Sequence, residues 1–278
     1  MTADRTRPVL AAHAVRLAYS GPRGQTVLDG LNLHIMGGRI TALCGPNGCG
    51  KSTLLRAFAG LQRLSDGYVE VNGRPLSAYP RRALARELAL LAQFNLIPNG
   101  LHVRELVAYG RYAHGNWSGG LSASDRIAID DALHTTGLFH DADREVSALS
   151  GGERQRAWIA MAIAQQASIL LLDEPTTYLD VRHQLDILRA LRRLNRERGL
   201  TIVWVLHDLN QAAAYSDHII LMHQGSIVAE GAPTAMLEPD VLYRAFDVPM
   251  LKMRHPQSGA PMCVPSGEEA SDALVQRA

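Results

Sequence analysis

Lysine is almost missing from this chain of 278 residues: the basic complement of 28 is nearly all arginine, with lysine only at Lys51 and Lys252. Charge of either sign in excess is missing too. The formal net charge is +1 and no basic block is visible, so a nucleic-acid footprint is not expected. Cysteine occurs three times, at Cys44, Cys49 and Cys263. That odd number, without metal or disulfide spacing, excludes a disulfide scaffold and fits a reducing compartment. No apolar run approaches the roughly 18 residues that span a bilayer. The start, Met1 to Arg7, has no apolar stretch behind it, so no signal peptide is expected. These absences predict a cytosolic protein unless a partner holds it at a membrane.

One of the two lysines sits in the most informative stretch, Gly45-Pro46-Asn47-Gly48-Cys49-Gly50-Lys51-Ser52-Thr53. This is the phosphate-binding pattern G-x-x-x-x-G-K-[ST], placed between the apolar run Arg39 to Cys44 and a helical pattern from Ser52 to Ala59, as the motif requires. The glycines let several backbone N–H groups point at one anion, and the helix N-terminus adds partial positive charge. Lys51 is predicted to reach the β- and γ-phosphates, and the Ser52 hydroxyl to ligate Mg²⁺. A compact ammonium suits a tight phosphate cradle better than a planar guanidinium. The chain is therefore expected to bind a nucleoside triphosphate. Cys49 lies near a helix N-terminus, where a thiol pKa can fall; a redox-sensitive loop and a merely tolerated small side chain both stay open.

The chain falls into regions of different pattern. Strands are predicted over Val9 to Tyr19, Val27 to Ile35 and Tyr68 to Val71, with turns at Gly21 to Gly24, Gly37-Gly38 and Asn72-Gly73, the last a strong hairpin signal. Leu88 to Gln93 reads as a short strand. From Leu101 to about Ser147 apolar residues recur at helical spacing around the polar stretch His114 to Gly120, which predicts an insert of two or three helices. Beyond it, helices over Gly151 to Gln165, Arg182 to Arg198 and Asp208 to Tyr215 alternate with strands at Ile169 to Asp173, Ile202 to Leu206 and Ile219 to Met222, with Ile227 to Ala229 after the turn Gln224-Gly225. Such alternation implies helices on both faces of a mainly parallel sheet. The predicted fold is α/β: a P-loop NTPase core with an antiparallel β subdomain and an inserted α-helical subdomain. The expected division is an ATPase domain over 1–248, its helical insert at about 95–150, and a C-terminal tail over 249–278, frayed from Gly267 onward.

Two further constellations carry chemistry. Leu170-Leu171-Leu172-Asp173-Glu174 delivers two acids at the C-terminal edge of a strand, where α/β folds place ligands. Asp173 is expected to help hold Mg²⁺, and Glu174 to orient or deprotonate an attacking water; a glutamate opening the turn before Pro175 is the plainer reading. Leu149-Ser150-Gly151-Gly152-Glu153-Arg154-Gln155-Arg156 opens a helix with a serine and two glycines. The glycines cost helix stability, which fits backbone that must approach a second anion closely, though an ordinary capped helix start remains the alternative.

On that octapeptide the chain resembles the ATP-binding subunits of ABC transporters, whose signature motif it matches. The resemblance runs from about Val9 to Val248 and implies further roles. Tyr19 looks like the aromatic that stacks on adenine, Gln93 like the glutamine that touches Mg²⁺ and water and senses the membrane partner. Tyr178-Leu179-Asp180 resembles the loop through which two subunits communicate, and His207 the switch histidine at the γ-phosphate. It also implies a homodimer with ATP and Mg²⁺ between one phosphate loop and the other copy's Ser150, Gly151 and Gly152, transmembrane permease subunits docking near Gln93 to about Arg111, and a substrate-binding protein acting through them. The location would be peripheral, on the cytoplasmic face of the inner membrane. The wording Ala157-Trp158-Ile159-Ala160-Met161-Ala162, Thr176-Thr177-Tyr178-Leu179-Asp180 and His207-Asp208-Leu209-Asn210-Gln211-Ala212 is similar to importer ATPases of the ferric-siderophore type. Haem and cobalamin importers are the neighbouring alternative, and a soluble non-transport ABC ATPase the more distant one. Glu153 and His102 stand where many siderophore-type members carry Gln and Thr.

Overall fold

The apolar runs Ile40–Cys44, Ile169–Asp173 and Thr201–Val205 are buried along their whole length, the state of strands covered on both faces. In the computed structural model, which describes residues 7–18, 26–92, 100–115, 120–257 and 259–266, these runs form the middle of a sheet. The first elements are β1 (Pro8–Ala18), β2 (Thr26–Met36), β3 (Ile40–Cys44), α1 (Lys51–Phe58), β4 (Asp66–Val71), β5 (Arg74–Pro75), α2 (Arg81–Glu87) and β6 (Leu88–Leu91). Then come α3 (Val103–Ala108), α4 (Ala123–Thr136), α5 (Gly151–Ala164), β7 (Ile169–Asp173), α6 (Val181–Arg198), β8 (Thr201–Val205) and α7 (Leu209–Tyr215). The last are β9 (His218–His223), β10 (Ser226–Gly231), α8 (Pro233–Met236), α9 (Pro239–Phe246), β11 (Met250–Arg254) and β12 (Pro261–Pro265).

Among the described residues the central sheet has six strands in the order β10-β9-β3-β8-β7-β6, parallel throughout except for β10. Successive side chains of a strand point to opposite faces, and the core divides accordingly. Ile40, Ala42, Leu170, Leu172, Ile202 and Trp204 join the helical side, while Leu43, Ile169, Leu171, Val203 and Val205 join the side covered by the antiparallel sheet. That second sheet runs β2-β1-β4-β5. Its β4–β5 turn holds Asn72 at φ 51° and Gly73 at φ 73°, the pair of left-handed residues that an Asn-Gly hairpin predicts.

Within the region expected to be the helical insert lie α3 and α4, and both pack on α5. It is pinned by a buried ion pair. Arg111 Nε donates to Asp125 Oδ1 at 2.8 Å, and Arg111 Nη1 to Ala164 O at 2.6 Å and Gln166 Oε1 at 3.0 Å. The Ser122 hydroxyl and Arg111, in that order, hold the Asp125 carboxyl down at about pKa 2. A buried pair of this kind is tolerated only when its remaining polar atoms are satisfied, as these are.

The segment after Val248 departs from expectation. Where a tail is predicted, β11 and β12 form an antiparallel hairpin, anchored because the Asn210 side chain donates to Cys263 O at 3.1 Å and accepts from Cys263 N at 2.8 Å. Pro261 and Pro265 stand at the ends of β12, where a missing N–H costs no interior ladder bond, so both prolines are compatible with a strand. Helices α2, α8 and α9 are likewise additional. No helix among the described residues is long and apolar enough to cross a membrane. The expected turn at Gly21 to Gly24, the frayed stretch from Gly267, Tyr19 and Gln93 lie outside the described residues.

Candidate functional site

The phosphate loop leaves β3 through Gly45 and enters α1 through Gly50. Gly45 has φ 150°, and a Cβ there would sit 2.1 Å from Met222 O of the neighbouring strand; Gly50 has φ 104° with Val27 O only 2.9 Å from its would-be Cβ. Both positions therefore demand glycine for space as well as conformation. The loop, with Val27, Asn47, Gly48, Lys51, Ser52 and Thr53, lines a cavity of about 380 Å³ whose far wall is Glu174 and His207. Lys51 is buried and its ammonium donates to Gly45 O at 2.8 Å and Pro46 O at 2.7 Å, with Cys49 Sγ at 3.7 Å. The cation is thus held by carbonyls of the loop itself.

Cys49 does not follow the expectation that a helix N-terminus lowers its pKa. Burial pushes the thiol up and outweighs the nearby Lys51; in Cys44, wholly enclosed, the same effect reaches about 12. Neither thiol is poised as a thiolate.

The two acids behave differently. Asp173 is buried at the end of β7, where the Ser52 hydroxyl donates to its Oδ1 at 2.8 Å. Its other oxygen, Oδ2, is buried and has no hydrogen-bond partner among the described residues. Desolvation, opposed by Ser52 and reinforced by Glu174, raises the Asp173 pKa. An orphaned buried carboxylate oxygen beside a serine hydroxyl is the donor set a hard divalent cation takes, so these residues fit Mg²⁺. Glu174 has φ 53°, a conformation a non-glycine residue adopts at a cost. It sends Oε1 to within 2.7 Å of His207 Nε2 and accepts from the Thr177 hydroxyl on Oε2 at 3.1 Å. Glu174 and His207 also border a second cavity, of about 230 Å³, with Asp208, Gln184 and Gln211.

The remaining predicted residues gather elsewhere. Ser150 caps α5: its hydroxyl accepts from Glu153 N at 3.2 Å while Glu153 Oε2 accepts from Ser150 N at 2.8 Å, a reciprocal capping box. Gly151 and Gly152 lie against the loop before α6, a Gly152 Cβ being 3.2 Å from Leu179 Cδ2. Asp180 caps α6 through His183 N at 2.8 Å and pairs with His183 Nδ1 at 2.9 Å; these contacts, His183 N–H first, lower its pKa. Ser150, Gly151, Gly152 and Asp180 are not among the residues lining the 380 Å³ cavity beside their own phosphate loop. Thr177 as the holder of Glu174 was not legible in the sequence; a threonine three residues after an acid at a turn is the only signal, and it is common.

The chain as a whole is similar to known proteins. Residues 28–177, more than half of the chain, match the family model described as ABC transporter. The chain is 45% identical over 245 residues to the ferric enterobactin transport ATP-binding protein FepC of Escherichia coli (strain K12), covering 88% of this chain and 90% of that protein. It is 44% identical over 240 residues to the iron(3+)-hydroxamate import ATP-binding protein FhuC of Bacillus subtilis (strain 168), covering 86% and 89%. Among solved structures, a dimeric ATP-binding cassette in a post-hydrolysis state with ADP and Pi bound superposes with a TM-score of 0.73 at 27% identity, covering 81% of this chain and 98% of the other.

Proposed function

The chain belongs to the ABC transporter family as an ATP-hydrolysing ATP-binding subunit, and from that premise we propose that it powers import of ferric siderophores. Two copies close head to tail on two ATP molecules, and transmembrane permease subunits carry the motion to a cargo handed over by a substrate-binding protein. The chain itself sits peripherally at the cytoplasmic face of the inner membrane. The observation that carries the chemistry is the Ser52–Asp173 pair with its unbonded Oδ2 at the mouth of the phosphate loop.

In the proposed mechanism the loop N–H groups and Lys51 hold the β- and γ-phosphates, Lys51 exchanging its loop carbonyls for phosphate oxygens. Ser52 and Asp173 would hold Mg²⁺ beside the phosphates, and Gln93 would touch the ion and a water. When bound, Mg²⁺ supplies charge neutralisation for the transferring phosphoryl group. Glu174 accepts the proton of the attacking water, and His207 contacts the γ-phosphate and keeps Glu174 aligned. Tyr19 stacks on adenine. Ser150, Gly151 and Gly152 of the partner copy close over the γ-phosphate with the helix N-terminus of α5, and Asp180 links the two sites. Their place away from the chain's own cavity supports a composite site.

The cargo rests on the relatives named for ferric enterobactin and iron(3+)-hydroxamate. Cells lacking the gene are expected to grow poorly only when iron comes as a chelated siderophore, and normally with plentiful free iron. Unimpaired growth on every ferric chelate, with loss of haem or cobalamin uptake, would overturn the cargo and leave the ATPase.

A further inference from the structure

The first turn of α5 carries a negative charge at the place where an anion is expected. Glu153 Oε2 accepts from Ser150 N and the Ser150 hydroxyl accepts from Glu153 N, so the capping box takes up two of the helix's unpaired N–H groups. The N–H groups of Gly151 and Gly152 are left for a ligand. A neutral glutamine at this position would cap equally well. The carboxylate, a quarter exposed, instead opposes any phosphate arriving at the same helix end.

Its neighbour offsets that charge. Arg144 Nη1 lies 3.4 Å from Glu153 Oε1 and 2.7 Å from Asp141 Oδ1, and Nη2 donates to Ala148 O at 3.3 Å. The backbone fixes the guanidinium's origin as well, because Arg144 N donates to Asp141 O and Val103 N donates to Arg144 O. The guanidinium therefore bridges the turn before α5 to the capping carboxylate. Counting Asp141, Arg144 and Glu153 as −1, +1 and −1 gives −1 in all; without the arginine the sum is −2. The Glu153 pKa is lowered first by the Ser150 N–H, with Arg144 adding to it, so the carboxylate is charged at neutral pH.

We propose that Arg144 is a charge-compensating positioning residue, which makes a glutamate at 153 compatible with phosphate capture by Ser150, Gly151 and Gly152. It acts on the nucleotide held by the other copy, and so rests on the composite-site reading. Its effect lies in dimer closure, not in ATP binding to the chain's own phosphate loop. Because the guanidinium is nearly half exposed, the size is modest and screened by salt.

The test uses the full chain carrying Glu174→Gln, in which ATP drives dimerisation without turnover, at high chain concentration and low salt. Light scattering reads the ATP concentration for half-maximal dimer. Arg144→Ala is expected to raise it about threefold, Arg144→Lys to keep it within about twofold, and Arg144→Ala combined with Glu153→Gln to return it to the parent value, since the local charge is again −1. The threefold effect shrinks at about 0.5 M salt, where the Debye length falls to a few ångströms. A double variant as impaired as Arg144→Ala means a strut and overturns the proposal, as does an unchanged ATP requirement in Arg144→Ala. A parent that stays monomeric at saturating ATP overturns the composite site, and this inference with it.

Discussion

Glu174 Oε1 and His207 Nε2 lie 2.7 Å apart on the far wall of the phosphate cavity, so the proposed base and the proposed γ-phosphate contact are bonded to each other. They reach the same edge because β7 and β8 are paired in parallel with Asp173 opposite Val205, which ends both strands at one level. Glu174 follows β7 directly, and His207 follows β8 after Leu206. The Thr177 hydroxyl holds the other carboxylate oxygen, so Glu174 is oriented from both sides.

Glu174→Gln removes the proton acceptor while Ser52 and Asp173 are untouched. Steady-state ATPase activity is expected to fall about 10²- to 10⁴-fold, with ATP binding retained and an ATP-locked dimer on size-exclusion chromatography. Hydrolysis near the wild-type rate would mean that Glu174 is not the base.

Asp173→Asn keeps an oxygen for Ser52 but replaces an anionic ligand by a neutral one. The Mg²⁺ concentration for half-maximal ATPase activity is expected to rise at least about tenfold, on the scale at which perturbing a metal site costs affinity. Chelation of Mg²⁺ should abolish wild-type turnover. Isothermal titration of Mg·ATP binding provides the second readout, and an unchanged Mg²⁺ requirement would remove Asp173 from the ligand set.

Lys51→Ala and Ser150→Arg are each expected to inactivate the homodimer, since each damages both sites. In a mixture, the heterodimer carries one doubly damaged site and one intact site, so ATPase activity should return up to what a single site supports. The assay is run with the membrane subunits present. If heterodimers form, ATP-binding stoichiometry separates an absent composite site from one that cannot turn over alone.

Arg111→Met leaves Asp125 buried without its cation. Removing one partner of a buried pair costs on the order of 3 kcal/mol, read as a lowered urea midpoint. The wild-type pair also makes a pH signature. The Asp125 pKa is depressed to about 2, below its unfolded value near 3.9, so its stabilisation is complete above about pH 4 and is lost as the pH falls toward about 2. Equal acid sensitivity in wild type and Arg111→Met would refute this link.

Contiguous residues decided much of the molecule. The run Gly45 to Thr53 specifies its own loop because three of its positions need left-handed or sterically open backbone, and local φ preference does not depend on distant partners. The buried strands around Ile169 and Ile202, the Asn72-Gly73 turn and the caps at Ser150 and Asp180 are local in the same sense, each set by apolar runs or by a side chain bonding its own backbone. The tertiary structure alone decided the rest. Glu174 meets His207 through strand register, Asp173 Oδ2 is buried without a donor among the described residues, and Cys49 is pushed up in pKa because burial outweighs the nearby Lys51. Asn210 turns a proline-flanked segment into a hairpin through partners 53 residues away, and Arg111 finds Ala164 at the same separation. Desolvation and long-range pairing depend on which surfaces meet in the fold, and no local pattern along the chain records that.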